Sequence, residues 1–345
     1  MKIHIDGIIF SLQSYGGISV YFQQLLKTLK TSSVPVTLSI ETPSIQCVTQ
    51  SALSVTQQAA RRLERYRSCR SIQKVTSVFH SSYYRKPEQP NIPTVVTVHD
   101  FIYERYYRGP KRWVHCAQKH AAIRAAQAVI CVSEATRQDL LTFVGETPNQ
   151  SLHVIHNGVS ENFYPLITQS HPTPPFVLFI GDRKAPYKNF NLLLQAIALL
   201  PELNLHCIGG GNFRPHELAS FPDTLRCRVK HLGLISDAEL NIFYNQAVCL
   251  AYPSRYEGFG IPVVEAMRAG CPVVSTACIA ILEIGGDALT IAEPSPVSLA
   301  EAINKCLDDQ YRKMISHAGL RIAQRYSWTE THRQTLNVYN QLSNL

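Results

Sequence analysis

The sequence predicts an α/β protein built from two doubly wound units, and three observations carry that prediction. The chain has 345 residues, too many for one ordinary core. Short, nearly continuous apolar runs alternate with apolar-periodic helices, the pattern of parallel strands covered on both faces. The alternation breaks at a proline- and polar-rich stretch, LITQSHPTPP at 166–175, and then begins again. The expected organisation is a first domain over 1–165, a linker over 166–175, a second domain over 176–326, and a last segment, 327–345, whose helix packs back on the first domain.

The first half opens with a strand in KIHIDGIIF, a loop bearing Gly16-Gly17 and a helix in ISVYFQQLLKTL. VTLSI, SVFHSS, PTVVTVHD, QAVICVS and SLHVIHNGV read as strands ending in polar or glycine turns. KRWVHCAQKHAAIRAA and EATRQDLLTFV read as helices between them, the second with Ser133 as its N-cap. In the second half FVLFIGD, NLHCIGGG, VKHLG, VCLAYPS, PVVST and ALTIA are the strands, with helices in NFNLLLQAIALL and SDAELNIFYNQA. Gly209–Gly211 lack the spacing of a dinucleotide fingerprint and read as structural. YSWTETHRQTLNVYNQL reads as one closing helix. Two such units facing each other would place their strand C-termini around one cleft, where folds of this kind bind ligands.

Composition narrows the class. Hydrophobic residues make up 45% and charged residues 17%, as in a folded soluble protein. No run of about 18 uncharged apolar residues occurs, so no membrane-spanning helix is expected. Asp6 interrupts the apolar N-terminal stretch, which argues against a signal peptide. The ten cysteines are scattered, without a Cys-x-x-Cys pair, and read as reduced thiols of a cytoplasmic protein. The net charge of +8 lies wholly in the first half: residues 1–165 hold 18 Lys+Arg and 10 Asp+Glu, and the remainder hold 15 of each. Within that half, AARRLERYRSCRSIQK at 59–74 has six basic residues and one acid. It reads either as a basic amphipathic helix lying on an anionic membrane at the cytoplasmic face, or as a solvated basic face packed on its own domain.

The chemistry concentrates in YEGFGIPVVEA, 256–266. Glu257 falls in the loop after a strand, and Pro262 suits the first turn of the helix that follows. Amides near Gly258–Ile261 would then point out of a helix N-terminus, a site suited to a phosphate. Glu257 and Glu265, on either side of it, are hydroxyl acceptors rather than phosphate ligands. An anion flanked by hydroxyl-bearing groups describes a nucleotide-sugar. In IGDRKAPYKNF, Arg183 and Lys188 lie five apart across a tight loop and are placed to neutralise a diphosphate. The chain contains no Asp-x-Asp, so these fixed cations, and no metal, are expected to stabilise the leaving group.

With these motifs in order, together with YGGISVY, TVHD, ICVSEATRQDL, VIHNGV and HLGLISDAEL, the chain resembles the retaining glycosyltransferases of family 4, the group 1 enzymes that carry a Glu-x7-Glu motif. The resemblance spans nearly the whole length. It implies the GT-B fold, two facing Rossmann-like domains with a deep cleft between them and a C-terminal helix. It implies that Glu257 contacts hydroxyls of the transferred sugar and Glu265 the ribose, while Arg183 and Lys188 hold the diphosphate with amides near Phe259 and Gly260. His99 would contact the sugar near the reaction centre, Gly16 and Gly17 would let backbone approach the phosphates or sugar, and backbone around Ile235 would meet the base. The implied reaction is metal-independent transfer of a hexosyl group, with retention, from a GDP- or UDP-sugar to a hydroxyl of a surface polysaccharide, O-antigen or lipid-linked glycan. YKNF leans towards a mannosyl donor. A nucleotide-sugar epimerase of related fold is the competing enzyme class. A non-enzymatic nucleic-acid or lipid-surface binder is the third, resting only on the basic half; no nucleic-acid-binding motif is present, and none is expected as a partner.

Overall fold

In the computed structural model the apolar runs of the first half are parallel strands, and the structure describes residues 1–13, 16–32, 34–41, 54–70, 76–167, 173–219 and 221–343. The chain divides into two compact units, Met1–Gly158 with Trp328–Leu345, and Val159–Ser327. The first unit runs β1 (Ile3–Asp6), α1 (Ile8–Leu12), α2 (Gly17–Thr31), β2 (Val36–Ile40), β3 (Ser54–Gln57), β4 (Val78–Ser81), β5 (Thr94–Val98), α3 (Ile102–Tyr106), α4 (Pro110–Ala125), β6 (Ala128–Cys131), α5 (Glu134–Phe143) and β7 (Ser151–Val154). Its seven strands are ordered β3-β2-β1-β4-β5-β6-β7, and every pairing is parallel. The order reverses beside β1, so neighbouring loops diverge at the C-terminal ends of β1 and β4. Helix α2 buries Tyr21, Phe22, Leu25, Leu26 and Leu29, one face of a 3.6-residue repeat. Ser133 caps α5, accepting the Thr136 amide at 3.0 Å.

The second unit runs β8 (Phe176–Ile180), α6 (Phe190–Ala198), β9 (Asn204–Ile208), α7 (Pro215–Ala219), α8 (Asp223–Arg226), β10 (Val229–His231), α9 (Asp237–Gln246), β11 (Leu250–Tyr252), α10 (Ile261–Arg268), β12 (Val273–Thr276), α11 (Ile279–Gly285), β13 (Leu289–Ala292), α12 (Pro296–Lys305) and α13 (Asp309–Ala323). Its six parallel strands are ordered β10-β9-β8-β11-β12-β13, with the reversal between β8 and β11.

The units exchange chain earlier than at 166–175. Val159 already pairs with Ser327, Phe163 packs edge-on against Tyr244, and Asn241 and Asn245 of α9 accept the amides of Tyr164 and Leu166 at 3.0 and 2.8 Å. These contacts make 159–166 part of the second unit; of the stretch read as a linker, 168–172 lie outside the described residues.

The closing helix, α14 (Trp328–Ser343), returns to the first unit. Trp328, Val338, Tyr339 and Leu342 enter the core formed by β1, β2 and α2, each contributing about 1.5–3 kcal/mol of burial. Polar pairs set its register. Thr331 donates to the His156 carbonyl at 2.7 Å, His332 Nδ1 meets Thr28, and the Tyr339 hydroxyl sits 2.5 Å from His80 Nδ1. The other nitrogen of His80 meets Thr97 at 2.9 Å.

No helix forms across the described part of 59–74. Leu63 takes a left-handed conformation, φ 61°, and Glu64–Tyr66 make a single 3-10 turn. The reason is Arg85, buried after β4, whose guanidinium pairs with Asp6, Glu41 and Glu64 at 2.9–3.0 Å. Glu64 is drawn inward while Leu63 and Tyr66 are exposed, the reverse of the faces the amphipathic helix would present. The nearby arginines bond locally: Arg61 to Glu64, Arg67 to the Arg62 carbonyl and Arg70 to the Ala59 carbonyl. The expected amphipathic helix is therefore replaced by a turn tied to a buried ion cluster; 71–74 lie outside the described residues. Among the described residues, no helix is long and apolar enough to cross a membrane.

Burial holds His4 and His332 at about 4 and His80 at about 3, against an ordinary 6.5. The unfolded chain therefore binds more protons below pH 6.5. The stability these neutral rings contribute is complete above pH 6.5 and is lost as pH falls towards 4. A urea midpoint that declines steadily from pH 7 to pH 4.5 is expected. Tyr339→Phe, which strips His80 of a partner, should lower stability by about 1–3 kcal/mol at pH 7.

Candidate active site

The strand reversal in the second unit brings two loops together. One follows β8 and carries Arg183 and Lys188; the other follows β11 and carries Glu257. Lys188 Nζ lies 2.6 Å from Glu257 Oε1 and donates to the Tyr252 hydroxyl at 2.9 Å. Both charged side chains are nearly enclosed, 12% and 10% exposed. An enclosed pair of this kind gains from mutual attraction, and removing one member leaves the other unpaired at a cost of about 3–5 kcal/mol. The lysine stem passes close to Gly181: a Cβ there would lie 3.3 Å from the lysine Cε and would push it by a few tenths of an ångström. The Lys188 ammonium also sits 4.8 Å from the Tyr252 ring centroid, a cation–π distance.

Arg183 has other partners than a substrate. Its Nη1 and Nη2 donate to the carbonyls of Gly209 and Gly211, both at 2.6 Å, its Nε donates to Glu217 at 3.1 Å, and its guanidinium stacks over Phe213 at 4.1 Å. All three nitrogens thus face protein acceptors, and the side chain is 1% exposed. The glycine run accepts this because Gly209, Gly210 and Gly211 all have φ between 72° and 87°, turning carbonyls inward. Lys184, next in sequence, is exposed.

Gly260 caps α10 in a left-handed conformation, φ 99°, and a Cβ there would lie 2.4 Å from Ile281 Cδ1, so only glycine fits. Phe259 is buried edge-on to Tyr326. Pro262 sits in the first turn of α10, as its missing N–H favours. One turn on, Glu265 accepts the Tyr244 hydroxyl at 2.9 Å, and burial raises its carboxyl to about 7. Ile235 is partly exposed between β10 and the capping box of α9, formed by Ser236 and Glu239.

The remaining candidates belong to the first unit. His99 directly follows β5, edge-on to Tyr21 at 5.2 Å; burial lowers it to about 3, so it is neutral. Its Nε2 is buried without a hydrogen-bond partner. Gly16 caps α2 and Gly17 is its first residue, with the Ser19 hydroxyl donating to the Gly16 carbonyl at 2.9 Å. Within one unit, then, the structure joins Lys188, Glu257, Arg183, Gly260 and Glu265 around neighbouring strand and helix ends, while His99, Gly16 and Gly17 sit on the other. Tyr252, Tyr244 and Glu217 were missed by sequence reasoning. Tyr252 ends a strand and Tyr244 lies on a helix, and both read as core aromatics. Among the described residues, no three His, Cys, Asp or Glu side chains gather as a metal-binding set.

Arg183→Lys cannot bridge two carbonyls and a carboxylate at once. It should lower stability by about 1–3 kcal/mol and accelerate amide exchange across 209–213. Unchanged protection of that segment would refute the loop-holding role.

Comparison with known proteins bears on the fold and the family. The model of the group 1 glycosyl transferases matches residues 174–309, and that of Glycosyltransferase Family 4 matches 15–163. The chain is 28% identical over 298 residues to the O-antigen chain mannosyltransferase B of Escherichia coli, covering 77% of this chain and 74% of that protein. Among solved structures it is similar to the sucrose-phosphate synthase of Thermosynechococcus elongatus, with a TM-score of 0.79 at 20% identity and 99% coverage of both chains. It is also similar to Anabaena HepE in complex with UDP and glucose, with a TM-score of 0.72 at 18% identity and 99% coverage of both. Two parallel-sheet units of this fold, matched in turn by both family models over most of the sequence, place the chain among the group 1, family 4 glycosyltransferases of the GT-B fold.

Proposed function

We propose that this glycosyltransferase moves a hexosyl group, a mannosyl group in the first instance, from a nucleoside-diphosphate sugar to a hydroxyl of a growing surface glycan, with retention of anomeric configuration and without a metal. The observation that carries the proposal is the Lys188–Glu257 pair at the strand reversal, beside the N-terminus of α10. Lys188 supplies positive charge to the departing diphosphate, and the helix N-terminus with the Phe259–Gly260 backbone supplies oriented dipoles. Glu257, neutralised by Lys188, accepts hydroxyls of the sugar and serves as no covalent nucleophile. Glu265 accepts the ribose hydroxyls, and backbone at Ile235 meets the base. Arg183 acts on the diphosphate through its charge while it holds the glycine loop; direct contact needs one of its carbonyl bonds exchanged. Neutral His99 offers Nε2 to the transferred sugar, and Gly16-Gly17 leaves room for backbone to approach it.

The mannosyl assignment is supported by the name of the O-antigen relative, and a nucleotide donor by the UDP and glucose bound to HepE. The donor sugar and base are read directly by a thermal-shift screen against GDP- and UDP-sugars, since a ligand of the native state raises the melting temperature by mass action.

Glu257→Ala should abolish transfer, by at least about 100-fold, with the circular dichroism spectrum unchanged; normal turnover would sink the proposal. Transfer should survive EDTA, and the anomeric proton coupling of the product should match that of the donor. Because Glu265 sits at about 7, its acceptor form grows as pH rises from 6 to 8. Donor KM should fall across that range and flatten in Glu265→Gln.

A further inference from the structure

The corner that joins α3 to α4 has a composition the transfer chemistry does not use. Residues 105–133 contain no Asp or Glu, and six Lys or Arg. Within YRGPKRWV, 107–114, Trp113 is 70% exposed, Val114 49% and Tyr107 43%, although this unit has ample core for apolar side chains. Arg108 and Lys111 are exposed among them. Pro110 opens α4, so Lys111, Trp113 and Val114 stand on its first turns, at the tip of a rigid element rather than in a free loop. Tyr107 is held as well, its ring stacked on Tyr103 at 4.5 Å, and Tyr103 is stacked in turn on buried His115 at 3.8 Å.

The patch continues along the helix. Val114 and Gln118 are one turn apart on the same face. Gln118 donates to the Arg65 carbonyl at 2.7 Å, which fixes the 3-10 turn beside α4. That turn exposes Leu63, 65%, and Tyr66, 47%. The result is a surface of exposed aromatic and aliphatic side chains interleaved with positive charge.

We propose that this corner docks on an anionic phospholipid bilayer. Trp113 and Tyr107 belong to the residue types that settle at the headgroup level, one end apolar and the other wet. Arg108, Lys111 and Arg112 meet the negative leaflet. Arg105 and Lys119 of the acid-free run are paired with Asp139 and Glu104, so the charges the corner offers a bilayer are those of Arg108, Lys111 and Arg112. The carrier is thus a corner built on α4, not the helix expected over 59–74. Docking here rests on no assumption about donor or acceptor, and its test involves no turnover.

The chain has two tryptophans, and Trp328 is buried in the core of the same unit. Trp113 is therefore the reporter. On mixing with vesicles of phosphatidylglycerol and phosphatidylcholine, the emission should shift to the blue, and the protein should co-sediment with the vesicles. Pure phosphatidylcholine vesicles should do neither, and high salt should reverse both effects. Arg108→Gln with Lys111→Gln should weaken partitioning roughly 25-fold, about fivefold for each charge. Trp113→Ala should abolish the shift and weaken partitioning while the melting temperature stays unchanged, since the side chain is exposed. Equal partitioning to neutral and anionic vesicles, or none to either, overturns the proposal. So does a blue shift that appears without lipid on raising protein concentration, which would make the patch a contact between copies.

Discussion

One lysine and one glutamate, held 2.6 Å apart where the strand order of the second unit turns back on itself, set the terms for everything around them. A nearly enclosed charge needs a partner, and each supplies it for the other. The neighbouring features follow from keeping that pair in place. Gly181 lies against the lysine stem, the Tyr252 hydroxyl accepts a second hydrogen bond from the ammonium, and Gly260 packs against Ile281 where α10 begins beside the glutamate. The N-terminus of α10, with its oriented amides, begins beside this pair.

The second basic residue shows a different use of the same chemistry. Arg183 and Lys188 are alike on paper, a planar cation and a point cation five residues apart. The guanidinium has a fixed fork that fits two carbonyls and a carboxylate, and the structure uses that fork to shape the glycine turn after β9. The ammonium has no fork and stays at the strand end. The two cations are thereby divided between holding the glycine turn and pairing with Glu257.

Much of this was legible in the sequence, for identifiable reasons. The buried strands announced themselves because a parallel sheet covered on both faces demands unbroken apolar runs, as in Val36–Ile40 and Phe176–Ile180. β3 did not, being a short, mostly exposed edge strand with the sequence SVTQ. Glu257 and Lys188 stood out in the sequence as charges in the loops beside a glycine turn and a helix N-terminus, and the structure pairs them at 2.6 Å. What stayed hidden depended on partners distant in the chain. Arg85 decides the fate of Glu64, 21 residues earlier, and turned an apparent amphipathic helix into a 3-10 turn. Asn241 and Asn245 decide to which unit 159–166 belongs, 77 to 79 residues away. Backbone carbonyls carry no sequence signature, so the engagement of Arg183 could not be read at all.

The path of the chain has a consequence for how the protein comes to exist. Trp328, Val338, Tyr339 and Leu342 complete the core of the first unit, yet they are the last part of the described chain to be synthesised. The first unit is begun first and sealed last. The second unit, continuous from Val159 to Ser327, has all its strands before α14 emerges from the ribosome. Birth order and folding order are thereby inverted. The nascent first sheet must wait with the ring of His80 and the side of α2 uncovered, through the translation of about 170 residues at some 5–20 per second. The apolar seat that α14 later takes is the part of the first unit left exposed longest during synthesis.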